Sequence, residues 1–305
     1  MARNTMEAWI PEEDGSEVIQ RVLQTSAIER FARRIPMSTA TRTEPRSTGV
    51  GVETIGKGGT YGEDESTNDD VLLTVRKFGK AIRIAEEDLE DTLVNTVATK
   101  QRDWATSYAK YLDNAALGTV GAENGTTRPY ASVYQQLTAG LAGNIVQTGT
   151  GGAGAVDLPT YDEFSEVVSK VEAGNYFDPS ALVIIANPLF RSYFRGVKDD
   201  QGAPLFVQGL AGTPDTLYGT EVAWSLGARV NTTASDAPTG NPLLVVCNRD
   251  LLMLGVRSGP ESIFIDGRSG LSALTDEAIL KMRARRAFNI GHLEGFAALE
   301  VRKNA

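Results

Sequence analysis

The sequence predicts an α+β fold in which an α/β unit is inserted into a second unit built around one long helix. Residues 85–117 contain neither glycine nor proline and repeat apolar side chains at helical spacing. Residues 38–80 alternate polar and apolar side chains on either side of a glycine-rich tip, which indicates strands. Residues 155–250 alternate amphipathic segments with continuous apolar runs, the pattern of helix-covered buried strands.

The N-terminal segment, residues 1–37, predicts an extended arm followed by a helix. Residues 1–15 are polar and are interrupted by a proline and a glycine. From Ser16 onward apolar residues recur at helical spacing, and Pro36 would end the helix. A terminal helix of this kind is marginally stable alone, so we expect it to dock on the chain's own core or on a partner.

Residues 38–80 predict an extended β-hairpin loop with an acidic tip. Its two strand-like runs are residues 50–55 and 71–78. A two-stranded ribbon is marginal alone in water, so we expect a neighbouring subunit to support it. Over residues 53–70 six carboxylates stand against the single Lys57, which gives a net charge of −5. The carboxylates belong to Glu53, Glu63, Asp64, Glu65, Asp69 and Asp70.

A single helix, called the spine helix, is the prediction for residues 85–117. Acidic residues at positions 86–88 suit the positive end of the helix dipole, and Gly118 would end the helix in the left-handed conformation. At about 1.5 Å per residue the helix would be about 50 Å long. We expect a proline at Ala98 to break it at a cost of about 3 kcal/mol or more. The apolar stripe consists of Leu89, Leu93, Val97, Trp104, Tyr108 and Leu112.

The remaining segments predict loops, the inserted unit and a set of closing strands. Residues 118–157 are dense in glycine and are expected to form loops at a domain boundary. The inserted unit has predicted helices over residues 160–174 and from Asn187-Pro188 onward, and predicted strands over 181–186, 220–225 and 243–247. The closing strands are predicted over residues 251–256, 262–265, 277–289 and 293–301.

Charge and composition exclude several classes of function. A net charge of −9 and a pI near 4.9 disfavour a protein that binds nucleic acid through contacts with its phosphates. The same charge is compatible with a container wall that encloses DNA without adhering to it. The single cysteine, Cys247, leaves no internal disulfide to form. The sequence has no apolar run of about 18 residues and no N-terminal apolar signal core, so we expect neither a membrane span nor secretion by that route.

Two glycine motifs resemble phosphate-binding loops, and both fail on physical grounds. Residues 51–58 nearly match G-x-x-x-x-G-K-[ST], but Gly58 supplies no hydroxyl for Mg²⁺ and no helix follows. Residues 149–154 match G-x-G-x-x-G, but Pro159 comes too soon for a helix to open there. His292 is the only histidine, so a zinc site or a Cys–His pair lacks its parts. The sequence therefore predicts no enzyme, cofactor or metal site.

Three local motifs follow one another in a recognisable order. Residues 186–206, ANPLFRSYFRGVKDDQGAPLF, join an apolar strand, an Asn-Pro helix start and a polar turn. Residues 217–225, LYGTEVAWS, and residues 285–299, RRAFNIGHLEGFAAL, follow. With the arm, hairpin and spine helix, this order resembles the major capsid protein family of tailed bacteriophages, although Glu221 stands where that family often has proline. The shell fold of that family is shared with herpesvirus capsid floors and encapsulins.

The resemblance implies a phage major capsid fold and a structural role in the virion. Subunits made in the bacterial host cytoplasm would form hexamers and pentamers of an icosahedral head that encloses double-stranded DNA. A portal and a separate scaffolding protein are implied as partners, because residues 1–15 are too short for a cleavable scaffolding extension; decoration proteins are a further option. An encapsulin-type shell around cargo enzymes is the alternative. The implied parts are the arm (1–37), the extended loop (38–80), the peripheral domain (81–154 and 251–305) and the axial domain (155–250).

Subunit contacts are hypothesised to join the acidic hairpin tip to basic groups of an adjacent subunit. Exposed ion pairs contribute about 0–1 kcal/mol each, so their effect would depend on repetition across the shell. Some family members also join a loop lysine to an asparagine of a neighbour. Lys57 is the candidate lysine, with Asn289 or Asn304, but its glycine-flanked position predicts exposure rather than the desolvation that this reaction needs. The hypothesised contact residues are Arg30, Arg33, Arg34, Lys57, Glu63, Asp64, Glu65, Arg283, Arg285 and Arg286.

Overall fold

The computed structural model describes residues 23, 25–47, 49–63, 69–91, 95–148, 158–198, 215–265 and 276–302. Helices and strands are mixed in these ranges, as predicted. The helices are α1 (Ala27–Phe31), α2 (Glu86–Asp91), α3 (Thr96–Leu117), α4 (Val133–Gly140), α5 (Tyr161–Glu172) and α6 (Phe190–Gly196). The strands are β1 (Arg33–Pro36), β2 (Thr41–Arg46), β3 (Asp69–Thr74), β4 (Arg76–Ala85), β5 (Ile145–Gln147), β6 (Leu182–Ala186), β7 (Thr216–Leu217), β8 (Thr220–Trp224), β9 (Leu243–Asn248), β10 (Leu252–Ile265), β11 (Glu277–Ile290) and β12 (Phe296–Glu300).

The larger sheet of the described residues has the strand order β5-β12-β9-β6-β8-β7 and is covered on both faces. In β6, Val183 and Ile185 point toward the cluster that contains α3 and α4, whereas Ile184 points toward α5 and α6. Successive side chains of a strand alternate between faces, so burial of both faces requires the continuous apolar run that the sequence has here. The predicted strands β6, β8 and β9 are confirmed.

Helix α5 confirms the helix predicted over residues 160–174. Thr160 and Glu163 form a capping box, in which each side chain accepts a hydrogen bond from the other's backbone N–H. The apolar side chains of Phe164, Val167, Val168 and Val171 are all buried.

The second sheet has the order β1-β10-β11-β4 and packs one face against α3. Its centre is the antiparallel pair β10–β11, in which the two predicted strands at 251–256 and 262–265 are one continuous strand with irregular register near Ser258. Along β11, buried and partly exposed residues alternate from Glu277 to Arg285, as expected for a strand with one covered face.

The extended hairpin exists, but its first strand is not the predicted one. Strand β2 (Thr41–Arg46) pairs with β3, whereas residues 50–55 are irregular. Arg46 explains part of this register, because its guanidinium pairs with Asp69 across the ribbon and its Nη1 donates to the carbonyl oxygen of Gly291 at 3.0 Å. The end of the β2–β3 ribbon that leads to the hairpin tip is thereby fixed to the main body.

The spine is two helices rather than the single predicted one. Ala85 ends β4, α2 covers Glu86–Asp91, and α3 begins after Asn95, whose side chain caps it by accepting from the Ala98 N–H at 3.0 Å. Asn95 has non-helical backbone angles, φ −70° and ψ 84°, so the helix starts afresh there. Helix α3 has 22 residues and is about 33 Å long.

Gly118 follows α3 for a reason other than the predicted one. Its φ is −127°, so it does not adopt the left-handed conformation. A Cβ at this position would lie 1.9 Å from the carbonyl oxygen of Arg229. The residue is glycine because the chain after α3 passes directly against the backbone near Arg229.

The arm helix is shorter than predicted within the described residues, and residues 1–22 and 24 lie outside them. Helix α1 ends at Phe31, and β1 pairs in parallel with β10. Ile35 and Met37 are buried while Arg33 and Arg34 are exposed. This spacing of two is a strand pattern, and it places Ile35 opposite Gly255 of β10.

Residues 118–148 are more ordered than the predicted loops. Helix α4 buries Val133, Tyr134 and Leu137, and β5 joins the larger sheet beside β12. The larger sheet therefore takes strands from residues 145–147 and 296–300 as well as from the predicted inserted unit. The division into a peripheral domain and an axial domain remains a prediction.

The position of Ala98 in the first turn of α3 changes the expected effect of a proline there. Its N–H bonds the Asn95 side chain and not the helix, so Ala98→Pro should lower the free energy of unfolding by only about 1 kcal/mol. Ala105→Pro, in the middle of α3, should cost about 3 kcal/mol or more because it removes a helical hydrogen bond. Urea unfolding of both purified variants measures the difference, and equal losses would contradict it.

Candidate subunit-contact surface

The arm helix is held to α3 by one buried carboxylate. Asp113 accepts hydrogen bonds from the backbone N–H groups of Ala27 and Ile28, at 2.9 and 3.2 Å, and from the Ser26 hydroxyl. The Ser225 hydroxyl, just after β8, donates to the same carboxylate. Burial raises the pKa of Asp113, and these four donors oppose the shift by stabilising the ionised form.

Arg286, one of the predicted surface cations, is buried inside the chain. Its side chain is 5% exposed, and its Nη2 lies 2.9 Å from Glu29 Oε1 of α1. Tyr108 of α3 donates its hydroxyl to the same oxygen at 3.0 Å. Burial and the nearby Glu29 carboxylate raise the pKa of Tyr108, which keeps it a donor. Arg286 is therefore a partner of the arm helix and is withdrawn from the set of subunit-contact residues.

The arm cations lie on the surface, but two of them have contacts within the chain. Arg30 pairs with Glu221 and its guanidinium lies 4.8 Å from the centroid of the Phe31 ring. Arg34 donates from Nη2 to the Glu29 carbonyl oxygen at 2.8 Å. Arg33 is exposed on β1.

The outer face of the second sheet is basic. Residues directly opposite each other on β4 and β11 share a face, and the register places Lys77 opposite Arg285. Arg83, Lys281 and Arg283 lie on the same face by the same register. Two of these cations are paired within the chain, Arg283 with Glu261 and Arg83 with Glu277.

Sequence reasoning found Arg283 and Arg285 but missed the cations of β4. Lys77, Lys80 and Arg83 are exposed, whereas Phe78 and Ile84 of the same strand are buried. The signal for Lys77 and Arg83 was present, because apolar residues at positions 78, 82 and 84 keep a spacing of two and leave the odd-numbered positions on the other face. Lys80 shares the face of the apolar residues, opposite Met282.

The hairpin loop presents acidic and apolar side chains to solvent. Glu53 and Glu63 are exposed, and Asp64 and Glu65 lie outside the described residues. Val52 is 97% exposed and Tyr61 is 83% exposed. Asp69 forms an ion pair with Arg46, and the hydrogen bond from Arg46 lowers the pKa of the Asp69 carboxyl.

Lys57 lies at the exposed tip of a tight turn. The Gly59 N–H donates to the Gly56 carbonyl oxygen at 2.9 Å, and Gly58 has a φ of +84°, which suits the third residue of a type II turn. The predicted exposure of Lys57 is confirmed. Within the single chain Lys57 is thus solvated, whereas a covalent link to an asparagine would need it desolvated.

Cys247, His292 and the two glycine motifs were the candidates for catalytic or binding chemistry. Cys247 is buried and burial raises the pKa of its thiol. His292 stacks on Tyr176 with ring centroids 4.2 Å apart, and burial lowers its pKa. Residues 51–58 form a loop, and residues 149–154 lie outside the described residues.

The described part of the chain has neither a cluster of metal-ligating side chains nor a helix that could span a membrane. Its His, Cys, Asp and Glu side chains form no group of three or more that could hold a metal ion. Its helices include none with the length and apolarity to cross a bilayer.

Comparison with known families and proteins gives one consistent result. The model of the phage capsid family matches residues 8–245. "Probable major capsid protein gp17" of Mycobacterium phage L5 is 26% identical over 205 residues, which cover 66% of this chain. The protein of the same name from Mycobacterium phage D29 is 23% identical over 67% of this chain. The match spans 59% of the length of each of these relatives.

Solved structures share the fold over nearly the whole chain. A chain from Mycobacterium phage Bobi superposes with a TM-score of 0.74 at 18% identity and covers 96% of both chains. A chain from Mycobacterium phage Adephagia gives a TM-score of 0.74 at 17% identity, covering 100% of this chain and 98% of that one. A chain from the capsid of a native GTA particle gives a TM-score of 0.68 at 16% identity and covers 100% of both chains.

Asp113→Asn should loosen the arm helix. The amide cannot accept from all four donors and places its own N–H groups against them, so we expect a loss of about 2–4 kcal/mol in the free energy of unfolding. Trypsin should also cleave faster after Arg30, Arg33 or Arg34.

The matched control is Asp250→Asn, an exposed aspartate in the turn before β10, which should change stability by less than about 0.5 kcal/mol. If Asp113→Asn matched this control in both measurements, the carboxylate would not be what holds the arm.

Proposed function

The chain belongs to the phage capsid family, and we propose that it is the major capsid protein of a tailed double-stranded DNA bacteriophage. Copies of the chain would assemble as hexamers and pentamers into an icosahedral head. The observation that carries this proposal from the geometry is the hairpin. Its apolar side chains Val50, Val52 and Tyr61 are 72%, 97% and 83% exposed. Exposure of this apolar surface to water is unfavourable in an isolated subunit, and a neighbouring subunit that covered it would remove that cost.

The proposed subunit contact places the acidic hairpin on the basic side of an adjacent subunit. Glu53 and Glu63, with Asp64 and Glu65 from the sequence, supply the negative charge. Exposed pairs contribute about 0–1 kcal/mol each, but a shell repeats every contact many times, so small energies set the register of assembly. The cations proposed on the adjacent subunit are Lys77, Lys281 and Arg285 of the basic outer face, with Arg33 of the arm as a further candidate.

The net charge suits a wall around DNA rather than a DNA-binding surface. At −9 per chain, the assembled shell would repel phosphate groups overall and hold the genome without sequence-specific contacts. A portal and a separate scaffolding protein belong to the same proposal, and decoration proteins are a further option. The protein would be made in the host cytoplasm and would function in the virion.

The domain assignment is proposed from membership of the phage capsid family. Residues 81–154 and 251–305 would form the peripheral domain, residues 155–250 the axial domain, and residues 38–80 the extended loop. The encapsulin-type alternative is not favoured, because the matched relatives are named as phage major capsid proteins.

Particle formation tests the proposed function. The full chain expressed in bacteria together with its scaffolding protein should give closed hollow shells with rings of five and six subunits by negative-stain electron microscopy. Native particles from the natural source should contain double-stranded DNA. A chain that stays monomeric at all concentrations in the presence of the scaffolding protein would contradict the proposal, and cargo enzymes in place of DNA would establish the encapsulin alternative.

Charge reversal tests the acidic hairpin. Glu53→Lys combined with Glu63→Lys should lower the yield of particles, because two favourable contacts become repulsive. The same chain should recover part of its yield at about 1 M salt, where the screening length falls to about 3 Å. Sedimentation of assembly mixtures over a salt series measures both effects.

Glu172→Lys with Asp250→Lys is the matched control, since both residues are exposed outside the hairpin and the net charge changes equally. Equal yields from the two double variants at every salt concentration would refute the proposed role of the hairpin charge.

A further inference from the structure

His292, the only histidine of the chain, lies in the connection between the two sheets. Residues 291–295, here called the joint, lead from β11 of the second sheet to β12 of the larger sheet. The ring of Tyr176, in the segment between α5 and β6, stacks on the imidazole with centroids 4.2 Å apart. A change in the charge of His292 therefore acts on the segment that links both sheets.

The β2–β3 ribbon is attached to the same joint. Arg46 lies opposite Asp69 in the last pair of the ribbon before the hairpin tip, and the two side chains form an ion pair. Arg46 Nη1 also donates to the carbonyl oxygen of Gly291, the residue before His292, at 3.0 Å. The two sheets and the tip end of the ribbon therefore meet beside one side chain that titrates near neutral pH.

The neutral form of His292 suits the hydrogen bonding of the joint. The Glu294 N–H donates to His292 Nδ1 at 3.4 Å, so the neutral imidazole carries its proton on Nε2. Protonation would put an N–H at Nδ1, facing that donor, and would remove the acceptor. The joint has little room to rearrange, because a Cβ at Gly174 would already lie 2.8 Å from the Glu294 carbonyl oxygen.

The charged groups that act on His292 come from the joint and from both strands of the ribbon. Glu294 Oε2 accepts from the backbone and side-chain N–H groups of Asn175, each at 3.3 Å, which holds this carboxylate toward the segment after α5. Burial is the largest effect and lowers the pKa of His292. Arg46 acts in the same direction, whereas Glu294 and Asp69 favour the imidazolium and offset part of the shift.

We infer that the joint is a pH-sensitive switch, in which neutral His292 keeps the tip end of the ribbon fixed to the two sheets and protonation of His292 releases it. An imidazolium would repel the Arg46 guanidinium that bonds Gly291 and would compete with it for Asp69. A histidine whose folded pKa is lowered stabilises the fold above its unfolded pKa of about 6.5, and this contribution is lost as the pH falls through the folded value. The switch lies within one chain and goes beyond the proposed function.

Hydrogen exchange at the imidazole Cε1–H measures the titration of His292 directly. The full chain is incubated in deuterated buffer over a pH series, and mass spectrometry follows the peptide that contains the only histidine. We expect the midpoint of the exchange profile to lie below the ordinary histidine pKa of about 6.5. A midpoint at or above that value would overturn the inference, because folding would then favour the protonated ring.

Backbone amide exchange measures the release of the ribbon. Peptides that cover residues 41–46, 69–74 and 291–295 should lose protection by about threefold or more between about pH 7.5 and pH 5.5, after correction for the intrinsic exchange rate. Strands β6 and β9, whose residues are all buried, should keep their protection. Unchanged protection of the ribbon and the joint, or an equal loss in β6 and β9, would overturn the inference.

Two variants separate the protonation of His292 from a general effect of acid. His292→Phe keeps an aromatic ring for the stack on Tyr176, and His292→Gln keeps a hydrogen-bond acceptor, but neither side chain titrates in this range. Each folded variant should show the same protection of the ribbon at both pH values. A loss as large as that of the unsubstituted chain in either variant would overturn the inference, because another group would then cause it. Neither measurement requires particles, so the proposed function is tested separately.

Discussion

Asp113 lies near the end of α3, fully buried, and receives hydrogen bonds from residues that stand 87 and 112 positions away in the sequence. Burial of an ionised carboxylate costs several kcal/mol unless donors surround it. The arm helix supplies three of those donors and the turn after β8 supplies the fourth. The arm, the spine and the larger sheet are therefore joined at one point, and removing the arm or the turn after β8 would leave the buried charge without some of its donors.

The position of the arm helix in turn determines the ion-pair partners of the nearby arginines. Once α1 is fixed by Asp113, Glu29 lies against Arg286 and Tyr108, and Arg30 lies against Glu221. Arg286, which sequence reasoning assigned to subunit contacts, thus lies inside the subunit, and Arg30 forms its ion pair within the chain. The basic character that remains for a neighbour is concentrated on β4 and β11, which shifts the proposed contact from the arm to the second sheet.

Local patterns in the sequence were enough to predict α5, β6, β9 and β11. Helix α5 and strand β11 show a period over their own length, whereas β6 and β9 are buried on both faces and show continuous apolar runs. The alternation in β11 even placed Arg286 with Leu280, Met282 and Ala284 on the covered face, a signal that its positive charge concealed. Helix α4 was missed because it spans eight residues among glycine-rich segments. The new helix start at Asn95 was missed because it depends on a hydrogen bond from the Ala98 N–H to the Asn95 side chain, and the spacing of apolar residues does not reveal such a bond.

The pairing of strands that are distant in the sequence could not be predicted from local patterns. The sequence indicated strand character at residues 50–55, and the alternation of Val50, Val52 and Thr54 is typical of a strand, yet the chain uses β2 to build its hairpin. The choice depends on contacts between segments that are distant in the sequence, such as the ion pair of Arg46 with Asp69 and the hydrogen bond from Arg46 to the Gly291 carbonyl oxygen. Periodicity shows which side chains of a segment share a face, and it carries no information about such contacts.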